Sequence, residues 1–191
     1  IIDYDAGNIK SVEKALQYLG EEAVITRDAG EILAADKVIL PGVGAFGDAM
    51  EKLNRYGLVP VIHEVVEKGI PFLGICLGLQ LMFESSEEAP GVEGLGLLKG
   101  KIVRIPEGDG LKVPHMGWNS LRFPKKGRLF VHSYYLQAEE DIVTATAEYG
   151  VTIHASVEKG NVFACQFHPE KSSHTGLTIL KNFVELKGRE D

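Results

Sequence analysis

Gly74-Ile75-Cys76-Leu77-Gly78 puts a thiol where an apolar strand gives way to a helix, with a glycine two residues to each side. That is the pattern of a nucleophile elbow. The turn is too tight for bulky side chains at the flanking positions, and the nucleophile projects above the carboxyl end of the strand, where α/β sheets bind ligands. A helix N-terminus at that point favours the thiolate. Taken alone, the pentapeptide fits a small buried core cysteine equally well.

A base stands in Gln166-Phe167-His168-Pro169-Glu170, after the strand-like run Val162 to Phe167. Pro169 pushes His168 into an extended conformation. Residues two apart in an extended segment point the same way, so Glu170 can accept from one ring nitrogen of His168 and leave the other for a thiol. Alone, the run also reads as a surface His beside a surface Glu. The elbow cysteine tips it towards chemistry.

Acyl transfer also needs N–H donors for an oxyanion. The turn Pro41-Gly42-Val43-Gly44 follows a strand and can supply one donor; Leu77, after the nucleophile, can supply another. Gly42-Val43-Gly44-Ala45-Phe46-Gly47 also matches the dinucleotide fingerprint G-x-G-x-x-G. The match falls after the first βαβ unit, and Glu64 and Glu67, the acids about 20 residues on, lie in a helical stretch, so nucleotide binding is the weaker reading. Gly100-Lys101 is followed by Ile102, which excludes a phosphate-binding Walker sequence. His63, His115, His154 and His174 share no metal-ligand spacing, so neither a metal nor a cofactor is expected. Glu84, Glu87 and Glu88 read as a solvated helix end.

These residues need a scaffold. Ile9, Val12, Leu16 and Leu19 recur at helical spacing, with Asn8 or Ser11 as N-cap and Gly20 beyond the end. Residues 23–25 and 37–40 read as strands, 50–68 as one or two helices, 70–75 as a buried strand and 77–83 as a helix. This order predicts an α/β fold of three layers: a central, mostly parallel mixed sheet flanked by helices. The second half is strand-rich, at 97–105, 129–136, 142–149, 151–157 and 161–167, and closes with a helix at 175–187. No linker or repeat divides the 191 residues, so one domain over 1–191 is expected.

Composition narrows the partners. Twenty basic against 27 acidic side chains leave a net charge of −7, with no basic run, which disfavours nucleic acid and anionic membranes. The longest apolar stretch, Gly69 to Phe83, is shorter than the ~20 residues of a membrane span and contains Pro71 and Gln80. Cys76 and Cys165 make no disulfide framework and fit a reducing, cytoplasmic setting. Ile1-Ile2-Asp3-Tyr4-Asp5 shows no basic stretch followed by an apolar one, so no signal peptide is expected.

In order along nearly the whole chain, Asp-Tyr-Asp-Ala-Gly-Asn (3–8), Pro-Gly-Val-Gly (41–44), Gly-Ile-Cys-Leu-Gly-Leu-Gln (74–80) and Gln-Phe-His-Pro-Glu-Lys-Ser (166–172) resemble the class I, triad-type glutamine amidotransferases. Pro-His-Met-Gly-Trp-Asn (114–119) and Phe-Val-His-Ser-Tyr (130–134) resemble, within that family, the branch of glutaminase subunits serving imidazole glycerol phosphate synthases. The resemblance implies hydrolysis of L-glutamine to glutamate and ammonia, and delivery of the ammonia to a β/α-barrel cyclase/synthase subunit in a heterodimer. It implies Cys76 as nucleophile, His168 as acid and base, and Glu170 as the group holding the ring. Gly42, Val43 and Leu77 would surround the oxyanion. Gly44, Gln80, Ser133 and Tyr134 would contact the substrate, and Glu88 would face its ammonium. An amidotransferase with another acceptor, a cysteine peptidase, or an inactive binding subunit are the alternatives. The intact Cys76, His168 and Glu170 argue against the last.

Overall fold

The computed structural model describes residues 1–106, 118–122, 127–130 and 133–186, with 118–122 and 127–130 described by backbone alone. Helices α1 (Ile9–Tyr18) and α2 (Ala29–Leu33) precede strand β1 (Val38–Leu40). Helices α3 (Phe46–Arg55) and α4 (Leu58–Glu67) lead to β2 (Phe72–Ile75) and then to the short α5 (Leu77–Leu81). Next come β3 (Ser85–Ser86), β4 (Gly100–Arg104), β5 (Trp118–Arg122), β6 (Gly127–Phe130) and β7 (Tyr134–Ala138). β8 (Val143–Tyr149), β9 (Val151–Lys159) and β10 (Val162–Cys165) are followed by a 3-10 turn, Pro169–Lys171, and α6 (Ser173–Val184).

β1, β2 and β10 form the parallel heart of the sheet, with β2 in the middle. The continuous burial of β1 and β2, and of β10 but for the half-buried Phe163, matches strands covered on both faces. Alternation divides the core. Val38, Leu40 and Phe72 pack with Phe46, Met50, Leu53, Ile62 and Val65 of α3 and α4. Ile39, Leu73 and Ile75 pack on the other face with Val12 and Leu16 of α1 and Leu180 and Phe183 of α6. The expected three layers follow from this period-two division. β9 runs antiparallel to β10, and β7, β8, β5 and β6 extend the sheet antiparallel. β3 and β4 are parallel to each other, and β4 pairs with β7. Among the described residues no helix is long and apolar enough to cross a membrane.

Several elements differ from their expectation for local reasons. The helical region 50–68 is two helices because the chain turns at Gly57, whose φ of 65° is left-handed. The strand expected at 23–25 is reduced to a bridge between Ile2 and Thr26; its neighbour Val24 is exposed and has no apolar face to bury. The solvated helix end expected around Glu84, Glu87 and Glu88 is instead a set of backbone anchors. Their carboxylates accept the N–H groups of Gly100, Arg104 and Phe46 respectively, at 3.1, 2.9 and 2.9 Å. The last helix starts at Ser173, two residues earlier than expected. His115 and the rest of 114–117, residues 131–132 and the expected end of the last helix at 187 lie outside the described residues.

Candidate active site

Cys76 joins β2 to α5 with φ 57° and ψ −110°, a strained backbone for any residue with a side chain. The turn closes because Gly74 and Gly78 let the chain pass over itself. A Cβ on Gly78 would run into the Leu40 carbonyl, and one on Gly74 would sit 2.6 Å from the end of Met82. This is the elbow expected from the spacing, with both glycines required by close approach.

β10 lies beside β2, with Cys165 opposite Ile75. The Cys76 N–H donates to the Cys165 carbonyl at 2.8 Å. The segment leaving β10 therefore runs past the elbow, and alternation points Gln166 and His168 the same way. His168 is extended, at φ −97° and ψ 96°, as its position before Pro169 requires. Its Nδ1 lies 2.8 Å from Glu170 Oε1. The Ser172 hydroxyl donates to the His168 carbonyl at 2.6 Å and fixes the backbone from behind. The Glu170 side chain has no exposed surface, and its Oε2 has no partner among the described residues.

Two further side chains reach this cluster. The Gln166 amide, fully buried, lies with its nitrogen 3.8 Å from the Cys76 sulfur, and its oxygen accepts from Gln80 at 3.0 Å. Asn8 donates its side-chain N–H to Glu170 Oε1, and the same nitrogen is 3.4 Å from His168 Nδ1. Neither contact was expected. Gln166 is legible in retrospect, since it shares a face with His168. Asn8 is 160 residues away from its partner and carries no local signal.

Burial pushes the Cys76 thiol up to about 12. The Leu77 N–H and the Gln166 amide pull it back and the Glu170 charge adds to the rise, but desolvation dominates. The thiolate preference expected from the helix N-terminus is outweighed by this desolvation. Cys165 is a free thiol packed in the core on the α1 and α6 side.

The turn after β1 sits against the elbow. Leu77 N–H donates to the Gly42 carbonyl at 3.3 Å, and Tyr4 hydroxyl donates to the Pro41 carbonyl at 2.8 Å. Val43 is exposed, at 38%, and Gly44 has a left-handed φ of 110°. Gln80 lies against the elbow through Gln166. Glu88 holds the first N–H of α3, just after this turn. Ser133 and Tyr134 enter β7, away from the elbow in the chain, and both are half-buried.

A cysteine on an elbow, a histidine on the adjacent strand end and a buried glutamate behind the ring are the parts of a nucleophilic hydrolase or transferase. Residues 1–186 match the glutamine amidotransferase class-I family, and the chain belongs to it. Among its relatives, it is 56% identical to imidazole glycerol phosphate synthase subunit HisH of Moorella thermoacetica, over 97% of this chain and 93% of that protein. It is 47% identical to the subunit of the same name from Methanocaldococcus jannaschii, over 97% and 98%. A solved glutamine amidotransferase shares the fold, with a TM-score of 0.79 at 22% identity over 96% of each chain.

Proposed function

We propose that this chain is the glutaminase subunit of an imidazole glycerol phosphate synthase. It hydrolyses L-glutamine to glutamate and ammonia and hands the ammonia to a β/α-barrel synthase subunit in histidine biosynthesis. The observation that carries the reading is the His168–Glu170 pair on the segment that leaves β10 next to the Cys76 elbow of β2, in a chain alike over nearly its full length to proteins of that name.

His168 takes the proton of the Cys76 thiol as the sulfur attacks the side-chain amide carbon of glutamine. Proton transfer in concert with attack suits a thiol that burial keeps protonated. The tetrahedral intermediate collapses, the C–N bond breaks, and His168 gives the proton to the leaving ammonia. The thioester is then hydrolysed by water that His168 deprotonates, and the thiol leaves with that proton. Glu170 accepts from Nδ1–H throughout, holding the ring and stabilising the imidazolium. The oxyanion is met by Leu77 N–H and a backbone N–H of the 42–44 turn. Gln80 and Glu88, with Gly44, Ser133 and Tyr134, complete the substrate pocket in this reading. A reducing, cytoplasmic setting is part of it, in keeping with two free thiols.

The test is to co-purify the chain with a β/α-barrel synthase subunit and to assay glutaminase with and without the synthase's acceptor. Glutamate release that depends on Cys76 and rises with acceptor is expected. Stable folding of both subunits with no association and no glutamine turnover overturns the reading.

A further inference from the structure

Asn8 stands at the start of α1, where an asparagine ordinarily turns its side chain onto the first free N–H groups of the helix. It makes no such bond. Ser11 and Val12 take their bonds from the Asn8 backbone carbonyl, and the residue holds a left-handed φ of 71°. Asp28 at the start of α2 shows the ordinary behaviour, accepting the Glu31 N–H at 2.9 Å. The Asn8 side chain is instead turned to Glu170 and His168.

We propose that Asn8 is a positioning residue for the site, holding Glu170 Oε1 where the His168 ring donates to it. The proposal rests on reading the site as a glutaminase. Glu170 is enclosed, and its second oxygen has no partner among the described residues. Both of its described donors, the Asn8 amide and His168 Nδ1, converge on Oε1. Remove Asn8, and among the described residues one donor is left to orient a buried carboxylate. The amide nitrogen also faces Nδ1 at 3.4 Å and offers it hydrogens, never a lone pair. The carboxylate Oε1, an acceptor only, holds the proton on Nδ1, so the ring's lone pair lies on Nε2, the nitrogen that takes the thiol proton in this reading. Asparagine suits the place twice over: it tolerates the left-handed backbone, and its amide donates without carrying charge.

The test uses the chain in complex with its barrel subunit and acceptor. Asn8→Gly keeps the left-handed backbone and deletes the amide. Asn8→Asp keeps shape and backbone tolerance but replaces the donor with a second carboxylate. A hydrogen bond to a charged group has an effect of roughly tenfold to a hundredfold, so kcat should fall by that factor in Asn8→Gly and at least as far in Asn8→Asp. KM for glutamine should stay within about twofold, since the Asn8 amide is turned to Glu170 and His168 and is not one of the proposed substrate contacts. The ring ¹⁵N and ¹H resonances of His168, followed in the labelled chain, should move in both variants, with the Nδ1–H signal shifting upfield. That readout needs no turnover. A kcat loss with an unmoved ring signal means a merely structural role and overturns the proposal, as does wild-type kcat in both variants. If the wild-type complex does not turn over glutamine while the ring signal still moves, the glutaminase reading fails and the Asn8 linkage stands.

Discussion

The Leu77 N–H donates to the Gly42 carbonyl at 3.3 Å. The donor proposed for the oxyanion is therefore facing a carbonyl oxygen, where an oxyanion would be repelled. Val43, whose N–H belongs to the same peptide, keeps a negative φ, while Gly44 carries the left-handed φ of 110°. A branched residue resists the backbone that would turn this peptide over.

The chain alone should accordingly be a poor glutaminase, and the acceptor-loaded complex a good one. Losing one oxyanion donor reduces rate by roughly 10²–10³-fold, and repression of that size is expected. Val43→Gly should recover part of it in the chain alone, since glycine adopts positive φ freely. Steady-state glutamate release from chain, complex and complex with acceptor measures this. A free chain running at the rate of the loaded complex would end the gating idea.

Cys76 should be the thiol that reacts. A glutamine-like diazo-ketone should label Cys76 and leave Cys165, which is fully enclosed, untouched. Cys76→Ala should abolish glutamine-dependent synthesis by the complex while added ammonium salt still supports product. Peptide mapping that finds the label on Cys165 would refute the assignment.

Burial holds the Cys76 thiol up at about 12, so the resting chain carries little thiolate at neutral pH. Its alkylation by iodoacetamide should climb close to tenfold per pH unit between about 7 and 10, with no plateau. The sign for stability runs the same way. A thiol raised in the folded state favours folding below its unfolded value, and that contribution is fully present at neutral pH. It disappears as pH rises from about 9 through 12. A stopped-flow alkylation profile with a midpoint near 7 would contradict the raised value.

His168→Ala should reduce glutaminase activity on the order of 10²–10⁴-fold through loss of general acid–base chemistry. Glu170→Gln should reduce it less, because the amide oxygen can still accept from the ring. The amide nitrogen would sit where Oε2 now finds no partner among the described residues. Circular dichroism checks that both variants fold, and kcat/KM decides. A loss in Glu170→Gln equal to that in His168→Ala is the contrary result.

Gly78→Ala should destabilise the chain by roughly 1–3 kcal/mol, the range for forcing atoms into packed space. The new Cβ meets the Leu40 carbonyl, which is held in the parallel pair with Gly74. A thermal melt lowered by several degrees is expected. An unchanged melting temperature would show that β1 and the elbow can part at no cost.

Local chemistry made much of this protein legible in its residue order. The elbow follows from two glycines around Cys76, because only residues without a Cβ allow β2 and α5 to meet so closely. The extended His168 follows from Pro169, and the His168–Glu170 pair from a spacing of two. The layers follow from alternation in 38–40 and 72–75, which assigns each side chain to a face before any partner is known. Tertiary structure decided what depends on distant segments meeting. Asn8 looks like a helix cap until α1 is laid against the segment leaving β10. Glu84, Glu87 and Glu88 look solvated until β4 and α3 bring them backbone N–H groups to hold. The thiol looks activated by a helix end until the packing of β2 between β1 and β10 encloses it. Charge stabilisation at a helix end acts over one turn, whereas desolvation sums over every neighbour the fold supplies, and only the folded chain has those neighbours.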